Sequence, residues 1–115
     1  ISAYIFDDDA ENAYNSFNKA VEKFPDDAII YALGGDICSK LGKDDEALAN
    51  WNKSIELDYT CLDAKYSKIN YYAKIGDKNK CHSLALEIIE ELKNSGLDIE
   101  ANAEEKRLKN LIKNI

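Results

Sequence analysis

The feature that most constrains this chain is a pattern that returns every 34 residues. When the sequence is shifted on itself by that distance, small residues meet small residues and apolar residues mostly meet apolar ones. The matching sets include Ala13, Ala47 and Cys81; Phe17, Trp51 and Ala85; and Val21, Ile55 and Ile89. A fixed period of about 20–50 residues indicates stacked supersecondary units, each of which buries an apolar face against its neighbour.

Within one period, apolar or small residues recur every three or four positions, which predicts amphipathic helices. Asp9 and Asp77 are suited to cap the helices that follow them, whereas Lys43 is a poor cap. Gly42, Gly76 and Gly96 stand where a helix C-cap favours a left-handed residue. The pattern predicts helices over 1–6, 9–23, 27–41, 44–57, 61–74, 77–94 and 98–114.

The residues at these positions resemble the tetratricopeptide repeat family. In that family a first helix carries an aromatic residue, Leu-Gly and Tyr, and a second carries Ala-x3-Phe before a proline. The motif residues in this chain are Ala13, Phe17, Ala20 and Pro25; Tyr31, Gly35, Leu41, Gly42, Ala47 and Trp51; and Tyr72, Ile75, Gly76 and Cys81. The third unit departs from the pattern at three positions. Lys65 replaces the aromatic residue, Ile69 replaces the glycine and Ala85 replaces the phenylalanine.

The resemblance implies an all-α fold, a right-handed α-solenoid of tetratricopeptide-type helix-turn-helix repeats with a C-terminal capping helix. We expect one domain over 1–115, with a truncated first repeat at 1–27 and a second repeat at 28–61. A third repeat at 62–95 and a capping helix at 96–115 complete it. Small residues at Gly35 and Ala47 are expected to let helices approach closely.

The family resemblance also implies that the first helices line a concave groove. The residues expected to bind a partner there are Leu33, Asp36, Lys40, Asp63, Tyr66, Asn70 and Lys74, with Ala32 expected beside them as a tolerant position. The expected function is a protein–protein interaction module, part of a scaffold or adaptor, that binds a peptide or helix. The alternative is a structural segment of a longer solenoid, or a self-association surface, without its own ligand.

One subfamily is disfavoured by charge. Tetratricopeptide domains that grip the acidic C-termini of heat-shock chaperones use lysine and asparagine on successive first helices. The matching positions here hold Ala32 and Asp36, then Asp63 and Ser67. Two aspartates would repel a dicarboxylate.

The overall charge and composition exclude other classes. The net charge is −7, which disfavours nucleic acid as a partner. The apolar runs are too short for a membrane span, so we expect no membrane. Three cysteines cannot all pair within the chain, which favours a reducing, cytoplasmic location. We expect the chain to be a piece of a longer protein, and its apolar N-terminal edge, with Ile1, Tyr4, Ile5 and Phe6, either to self-associate or to be disordered before about Asp7.

No constellation of residues points to catalysis. Cys81 and His82 are neighbours, but adjacent residues on a helix point about 100° apart and cannot act on each other. The cysteines and the histidine lack the spacing of a zinc site. We therefore expect no enzyme activity, no cofactor and no metal.

Overall fold

A computed structural model describes residues 9–60 and 62–115 of the chain. These residues form six helices and no strand, so the all-α class is confirmed. The helices are α1 (Ala10–Lys23), α2 (Ala28–Lys40), α3 (Asp44–Leu57), α4 (Leu62–Lys74), α5 (Lys78–Asn94) and α6 (Asp98–Lys113). Their bounds lie within one residue of the predicted ones. The helix predicted over 1–6 and the N-terminal edge lie outside the described residues.

Three of the helices end in the same way. Gly42, Gly76 and Gly96 have φ angles of 76°, 79° and 78°, as the turn prediction requires. The amide of Lys43 donates to the carbonyl of Cys38 at 2.9 Å, and the amide of Gly42 donates to that of Ser39 at 3.1 Å. This pair of bonds is the Schellman arrangement, which satisfies carbonyls at the end of α2. The same pair recurs after α4 and α5.

The starts of the helices differ in how they are capped. Asp27 accepts from the amides of Ile29 and Ile30, and Asp77 accepts from that of Lys80, so the cap predicted at Asp77 is confirmed. Lys43 makes no side-chain cap bond, as expected. Asp9 occupies the cap position of α1, but the prediction that its side chain caps is wrong. Its carboxylate accepts a hydrogen bond from the side-chain amide of Asn12 at 2.8 Å, and not from a backbone amide.

The chain divides into two compact units, one ending at Ser67 and the other running Lys68–Ile115, with the boundary inside α4. In the first unit, α2 packs against both α1 and α3. Part of its core is a cluster around Phe17, whose ring meets that of Tyr31 edge-on with centroids 6.2 Å apart. The other members are Ala13, Ile37, Tyr14, Val21, Ile30 and Leu41.

Two glycines of α2 allow the neighbouring helices to approach it closely. A Cβ at Gly34 would overlap the Phe17 ring, and a Cβ at Gly35 would overlap the Trp51 indole. Ala47 is fully buried, so the close approach predicted at Gly35 and Ala47 is confirmed. The expectation that Ala32 faces an open groove is wrong, because its side chain is only 3% exposed. A helix that packs against two neighbours buries more than one face, which a single apolar stripe does not reveal.

In the second unit, α5 packs against α6. The buried residues are Ile69 of α4; Cys81, Leu84, Ala85, Ile88, Ile89 and Leu92 of α5; and Ala101 and Leu108 of α6. The outer face of α6 carries two ion pairs, Arg107–Glu104 at 2.9 Å and Lys109–Glu105 at 3.4 Å. This helix therefore has a buried apolar face and two exposed ion pairs, and it also carries Ile99, which is 82% exposed.

Candidate partner-binding surface

The Asp36 carboxylate connects the two helices on which the groove was predicted. It accepts a hydrogen bond from the Trp51 indole nitrogen of α3 at 3.0 Å, and another from the Ser67 hydroxyl of α4. Burial raises the pKa of Asp36, with a smaller contribution from the charge of Asp63, and the two hydrogen bonds offset part of the rise. Asp36 therefore positions α2, α3 and the start of α4 as well as contributing charge.

The other predicted groove residues of the first unit lie on α2 and on the first half of α4. Leu33 and Tyr66 are half-buried, whereas Lys40 and Asp63 are exposed. The half-buried side chains offer apolar area, and the exposed ones offer charge of both signs. Such a mixture of an aromatic ring, an aliphatic side chain and charged groups is typical of a peptide-binding surface.

The remaining two predicted residues, Asn70 and Lys74, belong to the second unit. Both are exposed on the second half of α4. Tyr66, Asn70 and Lys74 are spaced by four residues, so they follow one another along a single helical face.

The positions that correspond to the chaperone clamp hold groups unsuited to a dicarboxylate. Ala32 is buried, and Asp36 is engaged by Trp51 and Ser67. Asp63 is exposed and close enough to Asp36 to raise its pKa. A ligand carboxylate placed there would meet negative charge.

A feature that the sequence did not indicate is the burial of Lys65. This side chain is fully buried, and its Nζ has no hydrogen-bond partner among residues 9–60 and 62–115. The Nζ lies 3.6 Å from the centroid of the exposed Tyr59 ring. The repeat pattern predicts an aromatic residue at position 65. Here that position holds the buried Lys65, and the aromatic ring near it is that of Tyr59, on the preceding turn.

Of the two neighbouring residues considered for catalysis, only Cys81 lies in a packing position. The Cys81 thiol is buried and donates to the carbonyl of Ile69 at 3.5 Å, while His82 is exposed. Burial raises the pKa of both Cys81 and Cys38, which favours the unreactive thiol. In the part of the chain that the structure describes, no group of three or more His, Cys, Asp or Glu residues could hold a metal ion.

None of the helices in the described ranges combines the length and the apolar character needed to cross a bilayer. The repeat pattern and the geometry above are the basis for a functional interpretation, because no protein-family model and no curated protein matches the chain.

Proposed function

We propose that this chain is a protein-interaction module of the tetratricopeptide type. In this proposal the helical hairpins stack into a right-handed solenoid, and the concave groove lined by α2 and α4 binds a peptide or helix of another protein. The 34-residue period supports it, because Gly42 and Gly76, which are 34 residues apart, end their helices with the same Schellman geometry. The placement of Gly35 against Trp51 also supports it, since the repeat pattern pairs those positions.

The observation that carries the proposal is the state of Tyr66 and Leu33. Both are large side chains with apolar area on first helices, and both stay partly exposed in a unit whose Phe17, Ile37 and Trp51 are buried. A tyrosine in that position offers a rigid apolar face and a polar hydroxyl to a bound peptide. The Asp36 bonds to α3 and α4 fix the backbone beneath it, which lowers the entropic cost of binding.

The proposal includes the setting and the partner. Cys38 and Cys81 are free and buried, which suits a reducing, cytoplasmic location. Asp63 and Lys40 are exposed beside the apolar groups, so the partner segment carries apolar residues with complementary charges. The proposal assigns no catalytic step to the chain.

The experiment starts with affinity capture from the native source, with crosslinks mapped to residues. The captured partner is then titrated against Tyr66→Ala and Asn70→Ala, singly and together. Ile99→Ala is the control, because Ile99 is a highly exposed apolar residue on α6, a helix that carries none of the predicted residues.

We expect the double variant to weaken partner binding at least about tenfold while the free energy of unfolding changes by less than about 1 kcal/mol. The Ile99 variant is expected to bind as the parent does. Unchanged binding by the double variant, or capture of further copies of this chain alone, would favour the structural or self-associating alternative.

A further inference from the structure

The first unit has a surface depression that is formed by residues outside the predicted groove set. It is an open cleft at the edge of the unit, between the turn that joins α1 to α2 and the end of α3. We call it the edge cleft. Its apolar lining is Phe24, Pro25, Ile29 and Leu57, and its acidic lining includes Asp26 and Asp58.

The apolar part of the edge cleft is left in water. Phe24 is 52% exposed and Ile29 is 59% exposed, although both are large apolar side chains. Single exposed apolar residues are ordinary, but here two of them line one depression together with a proline and a leucine. Covering these side chains would remove apolar area from water, which favours binding of another apolar group.

The walls of the edge cleft are held by hydrogen bonds. The buried Ser54 hydroxyl donates to the Ala28 carbonyl at 2.6 Å, which fixes the start of α2 against α3. Asp27 accepts from two α2 amides at 3.0 and 3.2 Å. On the other wall, Asp58 accepts from the amide and hydroxyl of Thr60 at 3.0 and 2.6 Å. A surface held in this way needs little ordering when a ligand binds.

The charged residues that line the edge cleft are mainly acidic. Its lining contains the carboxylates of Asp26, Asp27 and Asp58 and one ammonium group, that of Lys23, which lies 6.0 Å from the Phe24 ring centroid. The hydrogen bonds from Thr60 lower the pKa of Asp58, so this carboxylate keeps its charge in mildly acidic solution. An occupant that brought an anion would be repelled, and one that brought a cation would be attracted.

We infer that the edge cleft is a second docking surface, and that it takes an aliphatic or aromatic side chain adjacent to a lysine or arginine of a partner polypeptide. The apolar side chain covers Phe24 and Ile29, and the cation lies against the carboxylates of Asp26 and Asp58. This goes beyond the proposed groove function, because none of these residues is in the groove set.

The test is a subtractive selection from an unbiased library of displayed peptides about 12 residues long. Peptides are enriched on the full chain after depletion on the Ile29→Ser variant, so binders that ignore the edge cleft are removed. Enriched peptides are then synthesised and their affinities measured by fluorescence anisotropy against four variants. These are Ile29→Ser, Asp26→Lys, Ile75→Ser and Tyr66→Ala.

Ile75→Ser is the matched control, because Ile75 is 56% exposed and lies at the end of α4. We expect the enriched peptides to share an apolar residue within two positions of Lys or Arg. Ile29→Ser and Asp26→Lys are each expected to weaken binding at least about tenfold, and added salt to weaken it further. Ile75→Ser and Tyr66→Ala are expected to leave it unchanged.

The inference is overturned if nothing is enriched, if the enriched peptides lack the basic residue, or if Asp26→Lys binds as the parent does. Loss of binding in Tyr66→Ala would also overturn it, because the peptides would then use the predicted groove. The result is separate from the groove proposal, whose test uses the captured partner and the α4 variants. Circular dichroism of each variant verifies that the helices are retained.

Discussion

At the scale of single residues, Gly35 is where one methyl group is expected to disturb the packing most. In an exposed helix, glycine to alanine is usually stabilising by about 0.5–1 kcal/mol. Here the new methyl would overlap the Trp51 indole, so we expect Gly35→Ala to destabilise the chain by about 1–3 kcal/mol in urea unfolding.

The cause of that loss can be isolated with a second substitution. In a Trp51→Leu background the ring is absent, and Gly35→Ala is expected to cost much less. An equal cost in both backgrounds would place the strain elsewhere than at the indole.

Asp36 gives a prediction that depends on pH. Its pKa is raised in the fold above its ordinary value of 3.8, mainly by burial, so the folded state binds the proton more tightly than the unfolded state does. The contribution of Asp36 to the free energy of unfolding is therefore expected to fall as the pH rises from below 3.8 through the raised pKa. Asp36→Asn has no such loss, and its stability relative to the parent should increase across that range in denaturant unfolding.

The matched variant is Asp36→Ala, which removes the acceptor of the Trp51 indole bond. It leaves a buried N–H group without that partner, and we expect a loss of about 1–3 kcal/mol at neutral pH. If Asp36→Asn were destabilised as much as Asp36→Ala, a carboxylate rather than a neutral acceptor would be required.

Lys65 leads to a prediction in the stabilising direction. Its buried ammonium has the Tyr59 ring above it but no hydrogen-bond partner in the described ranges, and burying a charge is costly. Lys65→Met keeps most of the length of the side chain and removes the charge, so we expect it to raise the free energy of unfolding by about 1 kcal/mol. Tyr59→Ala should cost about 0.5–2 kcal/mol in the parent and less in a Lys65→Met background, in thermal and urea unfolding. A destabilised Lys65→Met variant would show that the cation is required.

At the scale of elements, the helix caps provide a pair of closely related substitutions. Asp27 accepts from two backbone amides of α2, whereas the Asp9 side chain accepts from no backbone amide of α1. Asp27→Ala is therefore expected to cost about 1 kcal/mol, and Asp9→Ala a few tenths, in urea unfolding. Equal losses for the two aspartates would indicate that their charge near the helix dipole, rather than the hydrogen bonds, is what stabilises.

The helix bounds could be predicted from the sequence because they depend on nearby residues. Gly42 and Gly76 end their helices through φ angles that glycine adopts readily, and Asp77 starts α5 through a bond to an amide three residues away. Asp9 shows the limit of this reasoning. A side chain that can cap a helix can equally bond to a neighbouring amide side chain such as that of Asn12, and the pattern does not distinguish the two.

At the scale of the whole molecule, the burial of a residue depends on which helices pack together. The sequence predicts this packing less well than it predicts the helix bounds. Ala32 was assigned to an open face because one apolar stripe accounted for the rest of α2. Its burial follows from a helix that contacts both α1 and α3. The hydrogen bond from Trp51 to Asp36 and the burial of Lys65 could not be predicted for the same reason. Each depends on contacts made by tertiary packing. The edge cleft likewise joins two turns that are about 30 residues apart in the chain.

The two buried cysteines provide a way to time the opening of each unit in the native protein. Cys38 lies in the first unit and Cys81 in the second, and both are fully shielded from solvent, so a thiol reagent reacts only after local opening. The measurement uses a Cys61→Ser background, in which Cys38 and Cys81 are the two remaining thiols. If local opening costs about 3 kcal/mol, each thiol should be modified at least about a hundredfold more slowly in the native protein than in the urea-unfolded protein. Asp27→Ala should speed the modification of Cys38 more than that of Cys81, as followed by mass spectrometry of the digested protein. Equal acceleration at both thiols would mean that the two units open as one cooperative block, so comparing the acceleration at Cys38 with that at Cys81 would measure how strongly their openings are coupled.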